Sequence, residues 1–229
     1  MYLTTFFIGS VTYISLYFVF STMNITLKNE KINSFTKQFN RYPLKRQLYI
    51  SSNIIKSIFL FGLAVNYLYL LYKNNTLFLD WNIEEVALKK SVILYMIPDL
   101  WSMLITNSTI MMTTVFHHIC VTIATIFITY SDINKPGIHI AFIFYGLLSS
   151  YTFLVNAFLG GRFLRKFTSN EIKFITNNYL LVCFFNWSWQ IYYLFTVNCL
   201  IWYKLILVIL LGFCINDDII LIKFLQKYK

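Results

Sequence analysis

The sequence predicts an all-α membrane protein, a polytopic bundle of about seven transmembrane helices. Two observations predict this fold. Hydrophobic residues make up 58% of the 229 residues and charged residues only 12%, whereas roughly a quarter of the residues in a soluble domain are charged. The apolar residues also gather in runs close to the ~17–25 residues of a spanning helix, and backbone groups in lipid must bond within their own segment. The runs are therefore expected to be helices.

Seven such runs follow one another with short polar segments between them. The first has no basic leader before it and no small-residue cleavage site after it, so we expect a retained span and not a signal peptide. No linker is long enough to divide the remainder of the chain. We expect residues 1–36 to form an N-terminal span with a basic loop, and residues 37–229 to form one transmembrane domain. The predicted spans lie at about 2–22, 48–72, 91–111, 114–130, 138–159, 174–196 and 199–222.

The net charge of +10 comes mainly from basic segments on one side of the predicted membrane, at 28–46, 162–166 and 223–229. Basic residues concentrate in the cytosolic loops of membrane proteins. We therefore expect the N-terminus outside or in a lumen and the C-terminus in the cytosol. Short separate loops do not form the continuous basic face that binds nucleic acid, so no nucleic-acid partner is expected. Lys56 lies near a span end, where its amine is expected to reach the membrane surface.

Polar side chains recur along one face of four predicted spans. Polar groups in hydrocarbon are costly unless they face a bundle interior or a water-filled cavity, so these faces predict a shared polar interior. For each serine or threonine the alternative is a bond to a carbonyl of its own helix. A carboxylate, an imidazole or an amide is not satisfied so locally. The candidate residues are Asp99, Ser102, Thr106, His118, Thr122, Tyr145, Asn156, Asn186 and Gln190.

The depth of each group follows from the ~1.5 Å rise per helical residue. With the third span starting at Ser91, Thr106 lies nearly level with His118 on the returning helix. Asp99 and His118 are then expected to be about 10 Å apart along the membrane normal, too far for a direct hydrogen bond. We expect Ser102 and Thr106, or water, to link them.

The pair His117-His118 begins the fourth predicted span. Neighbouring residues of a helix point about 100° apart and the His-x-x-x-His spacing is absent, so we expect no metal site. An imidazole can instead exchange a proton near neutral pH, or act as a nucleophile when its other ring nitrogen is oriented. A hydrogen-bonded pair without a catalytic role at the membrane interface is the alternative.

The stretch Tyr95-Met96-Ile97-Pro98-Asp99-Leu100-Trp101-Ser102-Met103, followed by Phe116-His117-His118, resembles the TLC-domain proteins. That family includes the ceramide synthases and several multispanning lipid regulators that are not enzymes. The stretch 156–162 is loosely similar to the end of the family's next span. The likeness covers roughly residues 40–225, and only the core from the aspartate to the histidine pair is specific.

The resemblance implies six helices around a central lipid-accessible cavity plus one additional span, in the endoplasmic reticulum or another endomembrane. It makes 37–229 a TLC-like domain, with Asp99 as the upstream acid and His117 and His118 as the histidine pair. The chain departs from the ceramide synthases at 142–152, where their Asp-x-x-Ser-Asp cluster has no counterpart. Without those acids nothing in the sequence orients or charges the histidines, which favours the regulators over the synthases.

The leading hypothesis is therefore lipid binding or regulation of membrane lipid composition, with membrane lipids as partners and no resident cofactor. The alternative is a ceramide synthase-like N-acyltransferase with acyl-CoA as co-substrate; His117 and His118 are catalytic only in that case. A third class, a seven-span receptor or carrier, is less favoured. Receptors tend to have longer tails and loops, and carriers often contain internal repeats.

Overall fold

The computed structural model describes residues 1–26, 37–73, 85–106, 112–133, 135 and 137–228, without the side chains of 20–26 and 106. Within these ranges the regular structure is helical and contains no strand, which confirms the all-α prediction. The helices are α1 Tyr2–Thr26, α2 Leu44–Lys73, α3 Glu85–Thr106, α4 Met112–Tyr130, α5 Ile138–Ser149, α6 Phe153–Gly161, α7 Ser169–Thr196 and α8 Ile201–Gln226.

Five segments of the described chain are long and apolar enough to cross a membrane. They support the prediction of membrane-spanning helices. Both α3 and α7 are also long, with 22 and 28 residues, but neither contains an 18-residue stretch that is both as apolar and as poor in charged residues as those of the five. The five segments are Tyr2–Val19, Leu44–Lys73, Met112–Tyr130, Ile138–Gly161 and Ile201–Gln226.

The fifth predicted span is one apolar run broken into two helices. A single turn of 3-10 helix, Ser150–Thr152, separates α5 from α6. Three hydroxyls bond to carbonyls around the break: Ser150 to Leu147, Thr152 to Ser149, and Ser57 of α2 to Phe153. A break at membrane depth is tolerated where side chains satisfy the freed backbone groups.

Close packing against α2 fixes the position of α6. A Cβ atom on Gly160 would lie 2.9 Å from the carbonyl oxygen of Ile50 and 2.8 Å from the side chain of Ile54. Only glycine fits there, because small residues let membrane helices approach to backbone contact. This contact anchors α2, the helix that carries Lys56.

The remaining packing brings the polar faces of the other helices together. Helix α3 packs against α1, α2 and α4, and α4 packs against both α3 and α8. Helix α7 packs against α5 and α8. Across α1 and α2, Tyr13 shares a hydrogen bond of 2.9 Å with Ser52. Thus α4, with its two histidines, lies between α3 and α8, and α8 also packs against α7.

Candidate functional site

Asp99 on α3 is fully buried at the centre of a cluster of ionisable side chains. Its carboxylate forms an ion pair with the ammonium of Lys56 on α2. On its other side, Nδ1 of His118 on α4 lies 3.4 Å from Oδ1 of Asp99. Three helices therefore meet at one carboxylate, and the histidine and the lysine approach the same oxygen.

The contact between Asp99 and His118 corrects the expected separation of about 10 Å. The error lay in the depths assigned from the predicted spans of 91–111 and 114–130, whereas the described helices are Glu85–Thr106 and Met112–Tyr130. Asp99 precedes the end of α3 by seven residues and His118 follows the start of α4 by six, so both lie at nearly the same depth. No relay is needed, and Ser102 instead donates to the carbonyl of Asp99, 2.9 Å away in its own helix.

The position of Lys56 is a second correction. The sequence predicted that its amine reaches the membrane surface, but only 17% of its side chain is exposed and the amine turns inward to Asp99. The physical reason is that α2 begins at Leu44 and runs for 30 residues, so Lys56 lies a dozen residues inside the helix. A carboxylate on the facing helix stabilises the charge there.

His117 faces the opposite way, towards α8. Its Nδ1 lies 3.6 Å from Oδ2 of Asp217, whose other oxygen accepts a hydrogen bond of 2.8 Å from Thr114. The imidazole rings of His117 and His118 are 5.7 Å apart between centroids and almost perpendicular, at 86°. Adjacent histidines on one helix thus face carboxylates on two different neighbours.

The next residue of α8, Asp218, is held by two donors from α7. The hydroxyl of Tyr179 donates to Oδ1 at 2.7 Å, and Nε1 of Trp187 donates to Oδ2 at 3.1 Å. Asp218 is buried. With both oxygens engaged by rigid side chains, Asp218 fixes α8 against α7 and sets the position of Asp217 beside it.

Asp217 and Asp218 overturn one premise of the sequence argument. No acid follows the histidines on the next span, but the last span supplies two, and folding brings them beside His117. The signal was present, because these are the only acids in the last apolar run, and an ionisable group at membrane depth is by default a candidate functional residue. Lys56 is a lone lysine within the second run and carried the same signal.

Charge in this cluster is unevenly distributed. Three carboxylates, those of Asp99, Asp217 and Asp218, accompany one ammonium, that of Lys56. Burying an uncompensated charge is costly, so excess negative charge favours protons, or a positively charged or hydrogen-bond-donating group, at this place. The excess lies on the α8 side, since Lys56 already balances Asp99.

A metal ion has possible ligands here. Ligand atoms of Asp99, His117 and His118 all lie within 4.8 Å of one another, so the adjacency of the histidines does not by itself prevent joint coordination. Two imidazoles and a carboxylate suit zinc. The ammonium of Lys56, however, already binds the carboxylate of Asp99 and would repel a cation. The expected absence of a metal stays a prediction.

An apolar cleft lies directly beside the charged cluster, between α3, α4, α5, α7 and α8. Its lining residues stand one helical turn from the charged ones: Tyr95 is four residues from Asp99, Val121 four from His117, and Cys214 four from Asp218. The cavity volume is about 30 Å³, enough for about one or two waters. Its lining comprises Val92, Tyr95, Cys120, Val121, Ala124, Thr125, Ile128, Phe142, Tyr145, Gly146, Gln190, Leu207, Leu210, Leu211 and Cys214.

Two predicted site residues line this cleft. Tyr145 is buried with its ring centroid 6.3 Å from that of His117. Gln190 donates to the carbonyl of Ala141 at 2.7 Å and to Oδ1 of Asn186 at 3.4 Å. Asn186 in turn donates to Ser149 at 3.4 Å. These amides join α7 to α5 at the edge of the cleft rather than joining the carboxylates.

The other candidates bond within their own helices. Thr122 donates to the carbonyl of His118 at 2.9 Å, and Asn156 donates to that of Thr152 at 3.5 Å. Ser102 donates to the carbonyl of Asp99, so the bond within the helix that was the alternative for a serine or threonine is present at Ser102 and Thr122. The amide of Asn156 also bonds to a nearby carbonyl, although the sequence predicted that an amide is not satisfied so locally. The side chain of Thr106 lies outside the described part of the structure.

Comparison with known proteins adds no relative: no protein-family model, curated protein or solved structure matches the chain. The likeness to TLC-domain proteins therefore rests on the sequence alone. The geometry adds one fact about the residues that carry it: Asp99 and His118, 19 positions apart, are in direct contact.

Proposed function

We propose that the chain is a seven-span membrane protein of the TLC-domain type that binds a membrane lipid and regulates membrane lipid composition. One observation carries the proposal: an apolar cleft and a layer of charged side chains are adjacent along α3, α4 and α8. That arrangement suits an amphiphile whose acyl chain enters the cleft and whose head group meets Asp99, His118 and Asp217.

The architecture in this proposal includes α3 and α7 as spans. At ~1.5 Å per residue, 22 and 28 residues extend about 33 and 42 Å, enough for a hydrocarbon core of about 30 Å. Their polar side chains point to neighbouring helices, as Asp99 and Gln190 do. An endomembrane location with a lumenal N-terminus and a cytosolic C-terminus, and a central cavity among six helices, complete the proposal.

Charge predicts the class of head group. Two carboxylates on α8 face Thr114, His117, Tyr179 and Trp187, of which only His117 can become a cation. A head group that carries an amine or several hydroxyls would supply the missing donors or charge. The cleft is narrow, so an acyl chain enters it only if the side chains around it move apart.

The test is the lipid that the purified protein retains in native mass spectrometry. Wild type is expected to carry a lipid after detergent extraction, and the double variant His117→Ala/Asp217→Asn, which leaves the ion pair of Lys56 and Asp99 intact, to carry much less. His139→Ala is the matched control, because His139 is also buried but lies at the far end of α5. Equal lipid in wild type and double variant would remove the basis of the proposal.

Acyl transfer from acyl-CoA to a lipid amine is the second candidate, and the contact of His117 with Asp217 specifically favours it. The amine would attack the thioester carbonyl while the free Nε2 of His117 accepts its proton. The coenzyme A thiolate would leave and take a proton. Asp217 at Nδ1 would orient the ring, and such contacts often tighten once substrate binds.

Microsomes given a sphingoid base and an acyl-CoA test this candidate. His117→Ala is expected to abolish amide formation, and Asp217→Asn to lower it by roughly 10²-fold if Asp217 keeps the base in place. His139→Ala is expected to retain activity. If wild-type microsomes form no amide above background, acyl transfer fails while lipid binding stays open to its own test.

A further inference from the structure

A second cavity, of about 490 Å³, lies between α2, α6 and α7. Its volume falls within the ~300–1,000 Å³ typical of ligand sites. It shares no lining residue with the cleft or the charged cluster. The lining residues are Ile54, Ser57, Ile58, Leu154, Ala157, Gly161, Leu164, Arg165, Phe167, Glu171, Phe174 and Ile175. We call this cavity the α2–α6–α7 groove.

The walls of the groove are apolar and face outward. Ile58 of α2 is 53% exposed and Phe174 of α7 is 64% exposed, and Ala157 lines the groove between them. Helix α2 and the segment Ile138–Gly161, which comprises α5 and α6, are both long and apolar enough to span a membrane. Hydrocarbon therefore surrounds the opening, so an acyl chain of the bilayer can enter the groove directly and pack against its apolar walls.

Charged side chains mark one end of the groove. Nη2 of Arg165 donates to Oε1 of Glu171 at 2.8 Å, and its guanidinium lies 3.9 Å from the centroid of Phe167. Thr168 and Glu171 form the capping box that begins α7. The hydrogen bond from Arg165 and those from Thr168 lower the pKa of Glu171 to about 2, so the carboxylate stays charged and continues to hold Arg165 in place.

This end of the groove has spare capacity for an anion. A guanidinium has five N–H donors, and Arg165 uses its two terminal nitrogens for one bond to Glu171 and one of 3.4 Å to the carbonyl of Lys166. Arg162 and Lys166 lie in the same loop and add positive charge to this side of the protein, but Arg165 is the cation among the described residues that line the groove, since the guanidinium of Arg162 lies 4.5 Å from the ring centroid of Phe224. A planar guanidinium with positive neighbours is well suited to bind phosphate.

We propose that the α2–α6–α7 groove binds a glycerophospholipid of the surrounding bilayer, with one acyl chain against Ala157 and Phe174 and the phosphate on Arg165. The proposal does not rest on the function proposed for the charged cluster. It assigns a role to the exposed apolar walls and to the basic loop, neither of which the cluster uses.

Photolabelling of the full chain tests the proposal. The purified protein is reconstituted into phosphatidylcholine vesicles that contain a trace of phosphatidylcholine or of diacylglycerol, each with a diazirine on one acyl chain. We expect peptides from 154–175 to be labelled roughly tenfold more by phosphatidylcholine, because only it offers a phosphate for a charge-assisted hydrogen bond. Arg165→Gln is expected to abolish that difference.

Filling the groove supplies the control. Ala157→Trp is expected to reduce labelling of 154–175 by phosphatidylcholine several-fold, whereas Val208→Trp on the exposed face of α8 leaves it unchanged. If Ala157→Trp does not yield a folded protein, Ile58→Trp fills the same groove from the other wall. Equal labelling by the two lipids in wild type, or full labelling in the folded groove-filled variant, would mean that only bulk lipid touches this surface. Either result overturns the proposal without affecting the cluster.

Discussion

The two sides of the charged cluster differ in how their charges are balanced. On the α2 and α3 side, Lys56 neutralises Asp99, and His118 adds a third group to a closed arrangement. On the α7 and α8 side, Asp217 and Asp218 have Thr114, Tyr179, Trp187 and the imidazole of His117 as partners, and none of these is a permanent cation. The difference indicates that the α7 and α8 side has the greater need for a positively charged or hydrogen-bond-donating group from a ligand.

The largest expected effect comes from breaking the balanced side. Asp99→Asn leaves the ammonium of Lys56 buried without a counter-charge, which costs about 3–5 kcal/mol of unfolding free energy. The double variant Lys56→Met/Asp99→Leu removes both charges and is expected to recover most of that loss. Unfolding in mixed detergent micelles measures both. A double variant no more stable than the single one would show that the ion pair is not the stabilising element.

The next largest loss of stability is expected at Asp218, whose carboxylate is held by two donors from α7. In Asp218→Asn the amide can still accept from Tyr179, but its NH₂ group opposes the donor of Trp187. Leaving one buried donor unpaired costs about 1–3 kcal/mol. The same titration measures it, and adding Trp187→Phe should restore part of the loss. Failure of that rescue would contradict the role given to the indole.

Asp217→Asn is expected to change the free energy of unfolding less than Asp218→Asn does. The amide oxygen keeps the hydrogen bond from Thr114, and removing one charge from the neighbouring pair of aspartates relieves repulsion. We expect a stability within about 1 kcal/mol of wild type. A loss as large as that of Asp99→Asn would show that the two sides of the cluster are equally structural, which contradicts the comparison.

The smallest effect is expected at the surface pair of Arg165 and Glu171, which contrasts with both buried sides. The folded protein lowers the pKa of Glu171 from its ordinary 4.5 to about 2, mainly through the bond from Arg165. The pair therefore stabilises the fold fully above pH 4.5, and this contribution is lost as the pH falls towards 2. Glu171→Gln is expected to lower the midpoint of thermal unfolding slightly at pH 7 and not at all near pH 2. A pH-independent difference would contradict this account.

The fold and the centre of the site were predictable to different degrees. Composition and run length predict the helices, because a bilayer imposes the length and the internal bonding of each span. Helix limits were less accurate: α3 begins at Glu85 and not at 91, and α4 begins at Met112 and not at 114, and the predicted limits gave Asp99 the wrong depth relative to His118. Periodicity identified both residues but not their contact.

The sequence could not predict which charged residues from different helices contact each other. Lys56 is more than 150 positions away from Asp217 and Asp218 along the chain, and only the packing of α2, α3, α4 and α8 brings the three to one cluster. No periodic pattern within one helix encodes which helices become neighbours. The cost of burying charge could have selected Lys56 in the second run and the two aspartates in the last run as candidates, but it could not have shown which groups they contact.

The most direct test of the central claim fills the cleft without touching any charge. A Cβ atom on Gly146 would make ordinary contact with the ring of Tyr95 at 3.7 Å, whereas one on Gly212 of α8 would meet nothing within 4 Å. Native mass spectrometry of Gly146→Leu and of its control Gly212→Leu therefore reports on the cleft alone. We expect Gly146→Leu to lose the retained lipid and Gly212→Leu to keep it; equal lipid in both folded variants would contradict the claim that the cleft is where the lipid binds.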